Sequence, residues 1–255
     1  MIDQIIMDDM DAYQAKLHNL PCFLSFSQAA VNFSRFFKGG GGYMKPFQPA
    51  RREYGGRALE EKNMFSDPFQ QFDQWMKDIF AMKTPDPTAM VLATVDEKGY
   101  PDTRVVLLKE FNQLGFVFYT CYKSPKALQA EAIGVVALNF YWPELARQVR
   151  IRGNIERISR EESEKYFSSR PRDSQIATTA SLQSTILANR EELEARVNKA
   201  RAEWGEKPVP CPAEWGGYRV VPFEFEFFQG RDNRLNDRIR YLKSGQAWEM
   251  ERLSP

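Results

Sequence analysis

The sequence predicts an α+β fold, in which six to eight antiparallel strands form a closed or nearly closed barrel with helices between them. Two patterns in the 255-residue chain support this prediction. Segments in which apolar and polar residues alternate are joined by short turns that contain glycine, as in β-hairpins. Between them lie segments whose apolar residues recur at helical spacing. The composition, with 43% hydrophobic and 27% charged residues, is typical of a globular protein with a substantial core.

The first predicted element after residue 50 is a helix that begins at Asp67-Pro68, because proline is favoured at the first helical position. Its apolar stripe, from Phe69 to Phe80, is expected to pack on the core. Further helices are predicted at Pro125–Glu131, from the capping-box residue Ser159 to about Ser169, at Asp173–Ser181 and at Arg190–Trp204. Strands are predicted at Ala89–Val95, Thr103–Lys109, Phe116–Thr120, Val135–Trp142, Gln148–Ile158, Tyr218–Val221, Glu224–Gln229, Asp237–Leu242 and Ala247–Arg252.

Residues 1–43 differ from the rest of the chain. A weakly amphipathic stretch, Cys22 to Phe37, leads into the glycine run Gly39–Gly42, which favours neither helix nor strand, and Met44 follows at once. We expect residues 1–43 to be a flexible or appended extension, with Met44 as an alternative start, and residues 44–255 to form the main domain. The alternative is a short helix that packs on that domain.

Charge and residue usage exclude several classes of function. The formal net charge of +1 argues against a general nucleic-acid or membrane-surface binder. Cys22, Cys121 and Cys211 form no C-x-x-C motif, so neither a zinc ribbon nor a disulfide framework is predicted, and a reducing cytoplasm is the expected setting. The single histidine, His18, lies outside the main domain, so no histidine-based triad or metal site is expected there. If the protein is an enzyme, a bound cofactor is expected to supply the reactive centre.

Two polar clusters lie on the predicted strands and at a helix start. Arg104 and Lys109 bracket an apolar strand and differ in parity, so a regular strand sends them to opposite faces. The alternative there is an ordinary strand with exposed ends. In Tyr119–Lys126 a strand end passes into a helix, and Ser124 and Lys126 would add to a phosphate site at that helix N-terminus. The competing interpretation is simple N-capping by Ser124.

A third cluster combines a phenol, a guanidinium and a hydroxyl, which suit a phosphate monoester. Tyr166, Arg170 and Ser174 are spaced by four residues, as on one helical face. Pro171 must interrupt that helix, so we expect the three side chains to converge around a bend. A helix-capping turn with a salt bridge is the alternative.

The fourth cluster follows Gly230, and Gln183-Ser184 is a further polar pair within a loop. Polar residues alternate with other residues along a strand-like segment, at Arg234, Asn236, Arg238 and Arg240. Because side chains two apart in a strand share a face, we expect the four to point the same way, against an anion or a polar ring system. A solvated edge strand is the alternative. Together the clusters predict two phosphate-binding sites in one barrel.

These motifs resemble the pyridoxine 5′-phosphate oxidase family in order and spacing from Arg51 to Pro255. The motifs that carry the resemblance are Arg104–Lys109, Phe118-Tyr-Thr120, Arg147-Gln-Val149, Arg170-Pro-Arg-Asp-Ser-Gln175, Trp215-Gly-Gly217 and the segment around Arg234–Arg238. The resemblance implies a homodimeric FMN-binding split barrel with the flavin at the subunit interface. It also implies oxidation of pyridoxine 5′-phosphate or pyridoxamine 5′-phosphate to pyridoxal 5′-phosphate, with O₂ converted to hydrogen peroxide.

The resemblance further implies roles for individual residues. The expected FMN contacts are Arg104, Val105, Val106, Leu107, Leu108, Lys109, Tyr119, Thr120, Lys126, Gln148, Gln183, Ser184, Phe228 and Arg238. The expected phosphate clamp of the substrate is Lys109, Tyr166, Arg170 and Ser174. Arg234, Leu235 and Asn236 would lie over the substrate ring, with Arg234 and Asn236 as the catalytic pair, and Arg51, Arg52, Glu53 and Tyr54 would close on it as a lid.

Three positions depart from the family pattern. Phe228 stands where the family usually has tryptophan, Pro125 where it usually has arginine, and Asn236 where it usually has histidine. Two other functions remain as alternatives. One is a flavin oxidase of the same fold that acts on another ring substrate, such as a phenazine precursor. The other is a flavin- or pyridoxal-phosphate-binding protein with reduced activity.

Overall fold

The computed structural model describes residues 58–255, and the predicted extension, the start of the main domain and the expected lid Arg51–Tyr54 lie outside the described residues. The α-helices of the described part are α1 (Pro68–Ala81), α2 (Pro125–Ile133), α3 (Arg160–Ser169), α4 (Arg172–Ala180) and α5 (Arg190–Trp204). The strands are β1 (Ala89–Val95), β2 (Pro101–Leu107), β3 (Glu110–Asn112), β4 (Gly115–Cys121), β5 (Val135–Trp142), β6 (Arg147–Arg157), β7 (Trp215–Gln229), β8 (Asp237–Ser244) and β9 (Ala247–Leu253). Within residues 58–255, no helix has the length and hydropathy needed to cross a membrane.

The strands form one curled antiparallel sheet, which confirms the predicted α+β class. Within residues 58–255 the sheet has nine strands, where six to eight were expected. The strand order is β2-β1-β5-β6-β7-β4-β3, and β8 and β9 continue from β7 along a second branch. The branch arises because β7 is long enough to serve two partners on one edge. Its first half pairs with β4, with Phe116 opposite Val220, and its second half pairs with β8, with Glu224 opposite Leu242. The sheet therefore splits at the middle of β7.

The continuity of β7 corrects one prediction, because Pro222 separates the two strands expected from the sequence. The structure joins them into one strand of 15 residues. A register shift in the β6–β7 pairing, between Arg152 and Gly153, accommodates the proline at a bulge, where a missing ladder hydrogen bond is tolerated. Gly153 is needed there, since a Cβ on it would lie 2.5 Å from the carbonyl oxygen of Val221.

Helix α1 covers the concave face of the sheet and forms the centre of the core. Asp67 caps the helix by accepting a hydrogen bond from the Phe69 N–H at 2.9 Å, as the Asp67-Pro68 start predicts. Phe72 is fully buried, and its ring lies 5.0 Å from the rings of both Phe116 and Phe140. Burial of one such side chain stabilises the fold by about 1.5–3 kcal/mol. The predicted stripe is core from Phe69 to Ile79, but the expectation is wrong for Phe80, which is 53% exposed in the last turn of the helix.

Helices α3, α4 and α5 pack on a second, smaller hydrophobic cluster that includes Phe167, Ile176 and Trp215. The predicted capping box starts α3: the Ser159 hydroxyl accepts a hydrogen bond from the Glu162 N–H, and the Glu162 carboxylate accepts one from the Ser159 N–H, both at 3.1 Å. This cap sets the start of the helix whose last turn leads into the third polar cluster.

Candidate active site

A cleft of about 950 Å³ lies between the ends of β2 and β4, the α3–α4 bend and the segment after α4. Its lining brings together side chains that are far apart in the sequence. The predicted site residues that line it are Val105, Val106, Leu107, Lys109, Tyr119, Thr120, Lys126, Tyr166, Arg170, Ser174 and Gln183. The volume lies at the upper end of the range for ligand sites, which suits two ligands bound side by side.

Three of the four cationic side chains that line this cleft form no ion pair in the described part of the chain. Within residues 58–255, no carboxylate forms an ion pair with Lys109, Lys126 or Arg170, whereas Lys123 at the rim pairs with Glu214 at 2.7 Å. Burial lowers the pKa of Lys126, and the nearby positive charge of Arg104 adds to that effect. Burial also lowers the pKa of Arg170. Desolvated cations of this kind are stabilised when an anion binds beside them.

The third polar cluster converges around a bend, as predicted. Helix α3 ends at Ser169, and α4 begins after Pro171. The Gln175 side chain holds the bend by donating hydrogen bonds to the carbonyl oxygens of Arg170, at 2.9 Å, and Ser168, at 3.2 Å. Arg170 reaches into the cleft, where it donates a hydrogen bond to the Thr178 hydroxyl at 2.8 Å. The alternative of a capping turn with a salt bridge is wrong for Arg170, since no ion pair involves it within the described residues.

The start of α2 forms a second polar wall of the cleft. Ser124 occupies the N-cap position, but its hydroxyl donates to the Cys121 carbonyl oxygen at 2.7 Å and makes no capping bond to the helix. Side-chain capping by Ser124 is therefore wrong as an interpretation of this motif. Lys126 lies in the first turn and lines the cleft. The Gln183 side-chain oxygen accepts hydrogen bonds from the Thr120 hydroxyl and the Cys121 N–H, both at 3.2 Å, which fastens the segment after α4 to β4.

Several expected contact residues do not line the cleft of this chain. The Arg104 guanidinium lies beside it, bonded to the Thr94 hydroxyl at 2.6 Å and paired with Asp102 at 2.5 Å. The Leu108 side chain is buried in the core, and Ser184 lies next to the lining residue Gln183 with a positive φ of 67°. The backbone of Leu108 remains beside the lining residues Leu107 and Lys109.

Gln148, Phe228 and Arg238 form a separate row across three strands. Gln148 pairs with Phe228 in the β6–β7 register, and Phe228 pairs with Arg238 in the β7–β8 register. The Gln148 side chain donates to the Asn139 side-chain oxygen at 2.6 Å, and Arg238 donates to Glu226 at 2.8 Å. This row does not line the cleft within the same subunit.

The expectation of one shared face from Arg234 to Arg240 is wrong. A short 3₁₀ turn spans Asp232–Arg234, and β8 begins only at Asp237. Arg234 has a positive φ of 61° and is exposed, so it belongs to the β7–β8 loop. Asn236 also precedes the strand, and its side-chain oxygen accepts a hydrogen bond from the Arg231 N–H at 2.9 Å. Only Arg238 and Arg240, which lie in β8, keep the expected alternation. The turn before the strand points the side chains of Arg234 and Asn236 in other directions.

Arg238 and Arg240, which do share a face, are paired with carboxylates. Arg238 bonds to Glu226, and Arg240 lies 2.5 Å from Glu251 on β9. Leu235, at 69% exposure, stands out from the loop. The alternating polar residues in the sequence therefore belong to two different features. Arg238 and Arg240 form ion pairs with neighbouring strands, and Arg234 and Asn236 belong to the loop.

Among the cleft residues that the sequence did not predict as parts of the site, two contact Arg170. Trp215 was used only as part of the Trp-Gly-Gly motif, and Thr178 carried no signal at all. The structure places both against Arg170: the guanidinium lies 4.9 Å from the centre of the Trp215 ring and bonds to the Thr178 hydroxyl. The i,i+8 separation of Thr178 from Arg170 across a bend gives no period that a sequence pattern could reveal.

The sequence profile described as pyridoxamine 5′-phosphate oxidase matches residues 76–203, which include α2, α3, α4 and most of the cleft lining. The chain belongs to the pyridoxamine 5′-phosphate oxidase family. A second profile, the C-terminal dimerisation region of pyridoxine 5′-phosphate oxidase, matches residues 215–255 and supports the predicted homodimer.

Relatives with the same family name cover most of the chain. The pyridoxine/pyridoxamine 5′-phosphate oxidase of Legionella pneumophila (strain Paris) is 52% identical over 205 residues, which are 80% of this chain and 95% of the relative. Pyridoxine/pyridoxamine 5′-phosphate oxidase 1 of Hydrogenovibrio crunogenus is 46% identical over 214 residues, or 83% of this chain and 99% of the relative.

Solved structures of the family confirm the split-barrel fold. PhzG from Burkholderia lata 383, solved in complex with tetrahydrophenazine-1-carboxylic acid, superposes with a TM-score of 0.74 at 27% identity and covers 78% of this chain and 99% of its own. A pyridoxamine 5′-phosphate oxidase-related, FMN-binding protein of Nostoc punctiforme has a TM-score of 0.60 at 17% identity, with 75% of this chain and 100% of that chain covered.

The chemistry of the cleft fits FMN, the cofactor of the pyridoxamine 5′-phosphate oxidase family. Lys126 is a partly desolvated ammonium at a helix start whose side-chain cap is missing, which suits a phosphate group. Tyr119, Thr120 and Gln183 add aromatic and hydrogen-bonding groups to the same wall. The exposed apolar side chains of Val105 and Leu107 provide a surface for a ring system.

Proposed function

We propose that this chain catalyses the FMN-dependent oxidation of pyridoxine 5′-phosphate or pyridoxamine 5′-phosphate to pyridoxal 5′-phosphate, with O₂ as the acceptor and hydrogen peroxide as the second product. The observation that carries the proposal is one cleft with a cation on each of two walls, Lys126 on α2 and Arg170 at the α3–α4 bend, neither of which forms an ion pair within residues 58–255. A flavin phosphate and a substrate phosphate together match that pair of sites.

FMN, when bound, supplies the acceptor for the hydride that leaves the substrate carbon bearing the amine or alcohol. The chain's own task is to hold the two ring systems against each other. We propose that Arg104, Val105, Val106, Leu107, Leu108, Tyr119, Thr120, Lys126, Gln183 and Ser184 hold the cofactor, with Lys109 between it and the substrate. Tyr166, Arg170 and Ser174 clamp the substrate phosphate, and clamping at the phosphate fixes the distance of the reacting carbon from the acceptor.

Tyr119 would hold the cofactor as a protonated phenol, because burial raises its pKa to about 12. Its O–H group is therefore a hydrogen-bond donor at neutral pH, and the ring adds no negative charge beside the phosphates. A neutral donor such as Tyr119 and the Lys126 ammonium on the same wall favour a bound anion over water.

The separate row Gln148, Phe228 and Arg238 completes the cofactor site in our proposal by coming from the partner subunit. The row does not line the cleft of its own chain, and the dimerisation profile matches residues 215–255; both observations support this arrangement. Arg234, Leu235 and Asn236, on the loop next to that row, would then lie over the substrate ring, and Arg51, Arg52, Glu53 and Tyr54 would close on it.

The unpaired thiols of Cys121 and Cys211 agree with a cytoplasmic location, which is part of the same proposal.

A second candidate function is oxidation of a ring substrate without phosphate, favoured by the likeness to PhzG. The proposed phosphate clamp distinguishes a phosphorylated substrate from one without phosphate. Arg170, Tyr166 and Ser174 converge on one part of the cleft, and a substrate without phosphate would leave the desolvated Arg170 without an anion. Pyridoxine 5′-phosphate is therefore the better substrate for this cleft.

The test is an absorbance spectrum of the purified protein combined with a peroxide assay on pyridoxine 5′-phosphate, pyridoxamine 5′-phosphate and unphosphorylated pyridoxine. We expect a flavin spectrum and peroxide from both phosphorylated compounds. Yellow protein that releases no peroxide from either would indicate a flavin-binding protein with lost activity. Equal rates with and without the phosphate would contradict the clamp.

A further inference from the structure

Trp215, at the start of β7, is the centre of an aromatic group that lines the cleft. Its ring is nearly parallel to that of Tyr119, at 5.4 Å and 14°, and to that of Tyr166, at 6.2 Å and 6°. The Tyr119 and Tyr166 rings stack on each other at 3.9 Å. Trp215 itself is only 7% exposed, so it is fixed by the surrounding cluster. A rigid ring of this kind can set the position of side chains that rest on it.

Arg170 rests on this ring. Its guanidinium carbon lies 4.9 Å from the centre of the Trp215 ring, and its side chain also bonds to the Thr178 hydroxyl. Both partners are neutral, and no carboxylate pairs with Arg170 within the described residues. A carboxylate would position the guanidinium but also compete with a phosphate for it. A π face attracts the cation without neutralising it, so the charge stays available to an anion.

Gly217, two residues after Trp215, makes room for the same group. Gly217 pairs with Tyr119 across β4 and β7, and a Cβ on Gly217 would lie 2.9 Å from the Cε1 atom of Tyr119 and 2.5 Å from Ile158. Any side chain at this position would move the Tyr119 ring away from its stack with Tyr166. The Trp-Gly-Gly motif therefore shapes the phosphate end of the cleft twice, through the ring of Trp215 and through the space above Gly217.

We propose that Trp215 is a positioning residue for the substrate phosphate: its ring holds Arg170 and orders Tyr166 through Tyr119, so that guanidinium and phenol meet the same anion. This inference rests on the proposed function, because it assigns the phosphate end of that cleft. It predicts an effect that depends on the phosphate and that a purely structural role of Trp215 would not produce.

The experiment compares the FMN-loaded wild type with Trp215→Leu and Trp215→Phe. A matched control is Trp204→Leu, the same substitution at a partly buried residue that packs against the same hydrophobic cluster. The readouts are KM and kcat for pyridoxine 5′-phosphate and the dissociation constants of pyridoxal 5′-phosphate and pyridoxal in equilibrium dialysis. We expect Trp215→Leu to raise KM about tenfold, or about 1.4 kcal/mol, with kcat within about twofold.

The other outcomes separate the inference from the proposed function. Trp215→Leu should weaken pyridoxal 5′-phosphate about tenfold and pyridoxal hardly at all, Trp215→Phe should recover most of the loss, and Trp204→Leu should match the wild type. Equal losses for both ligands, or the same change in Trp204→Leu, would overturn the positioning role. A wild type that makes no peroxide would refute the proposed function, while the dialysis result would still decide the role of Trp215.

Discussion

Arg170 shows at the scale of one residue how a partly buried cation is held in place while its charge stays available to an anion. The Trp215 ring and the Thr178 hydroxyl contact it, and the Gln175 side chain fixes its backbone in the bend. None of these groups carries a charge. Burial lowers the pKa of Arg170, so a bound anion beside the guanidinium would offset the cost of its desolvation.

Replacement of Arg170 by alanine should raise KM for pyridoxine 5′-phosphate by about tenfold or more, since a charged hydrogen bond contributes roughly 1.5–3 kcal/mol. KM is measured from the steady-state rate of peroxide formation. The matched control is Arg196→Ala, which removes an arginine from the surface of α5, where it pairs with Glu192. An unchanged KM in Arg170→Ala, or an equal rise in the control, would contradict the phosphate clamp.

The hydrogen bond between the Asn236 side chain and the loop backbone gives this residue a structural role in the β7–β8 loop. Its side-chain oxygen accepts a hydrogen bond from the Arg231 N–H, which bridges the loop that carries Arg234. Arg234 and Asn233 both have positive φ, at 61° and 55°, so the loop needs such a bridge to hold them. A neutral histidine can accept the same hydrogen bond through a ring nitrogen.

We therefore expect Asn236→His to keep activity equal to that of the wild type or to increase it, and Asn236→Ala to lower kcat because the loop loses its bridge. The measurement is kcat for both phosphorylated substrates. Circular dichroism and flavin content report whether each variant is folded and loaded. A sharp fall in kcat for the folded Asn236→His protein would mean that the amide itself is required at this site.

Helix α2 shows how an element contributes to a site through its first turn. Pro125 occupies the first helical position, Ser124 turns its hydroxyl back to Cys121, and Lys126 lies at the cleft. The helix start therefore offers a positive dipole end and one ammonium to a phosphate. Because burial and the charge of Arg104 lower the pKa of Lys126, this ammonium loses its proton at a lower pH than an ordinary lysine does.

The affinity of the apoprotein for FMN should fall as pH rises, because the flavin phosphate binds the protonated form of Lys126 and that form is lost through the lowered pKa. Quenching of flavin fluorescence measures the dissociation constant from about pH 7 to about pH 10. Lys126→Arg should show a flatter profile, since a guanidinium keeps its proton over this range. Titration of the flavin itself is common to both proteins, so identical profiles would exclude Lys126 as the phosphate ligand.

At the scale of the whole molecule, the predicted site residues fall into two groups on one chain. One group lines the cleft, and the other, around Phe228, Arg238 and the loop of Arg234, does not. Two copies related by a twofold axis can bring the groups together, because each copy offers both surfaces.

Mixed dimers test this arrangement. At a substrate concentration well below the wild-type KM, Arg170→Ala and Arg234→Ala should each be far less active than the wild type, but subunits of the two variants, unfolded and refolded together, should regain activity. Random pairing would restore about a quarter of the sites, since one site of each mixed dimer contains neither substitution. The control mixes two preparations of Arg170→Ala, which should show no gain in activity. If both arginines served one site from the same subunit, every site would keep a substitution and no activity would return.

The sequence alone determined most of the elements and the residue types that meet at the α3–α4 bend. Helical stripes, alternation and the Ser159 capping box predicted α1, α3 and most strands to within a few residues, because these signals depend on neighbours in the chain. The convergence of Tyr166, Arg170 and Ser174 was also predictable, since Pro171 forces a bend between them.

Only the tertiary structure decided which groups meet. Trp215 contacts Arg170 because β7 pairs with β4 beside the α3–α4 bend, and the joining of two predicted strands through the bulge at Gly153 depends on the register with β6. Arg234 and Asn236 do not share a face with Arg238 because they lie in a loop, and a hydrogen bond from the Arg231 N–H to the Asn236 side chain holds that loop. Such contacts join residues that no local period relates, so they follow from packing and not from any pattern along the chain.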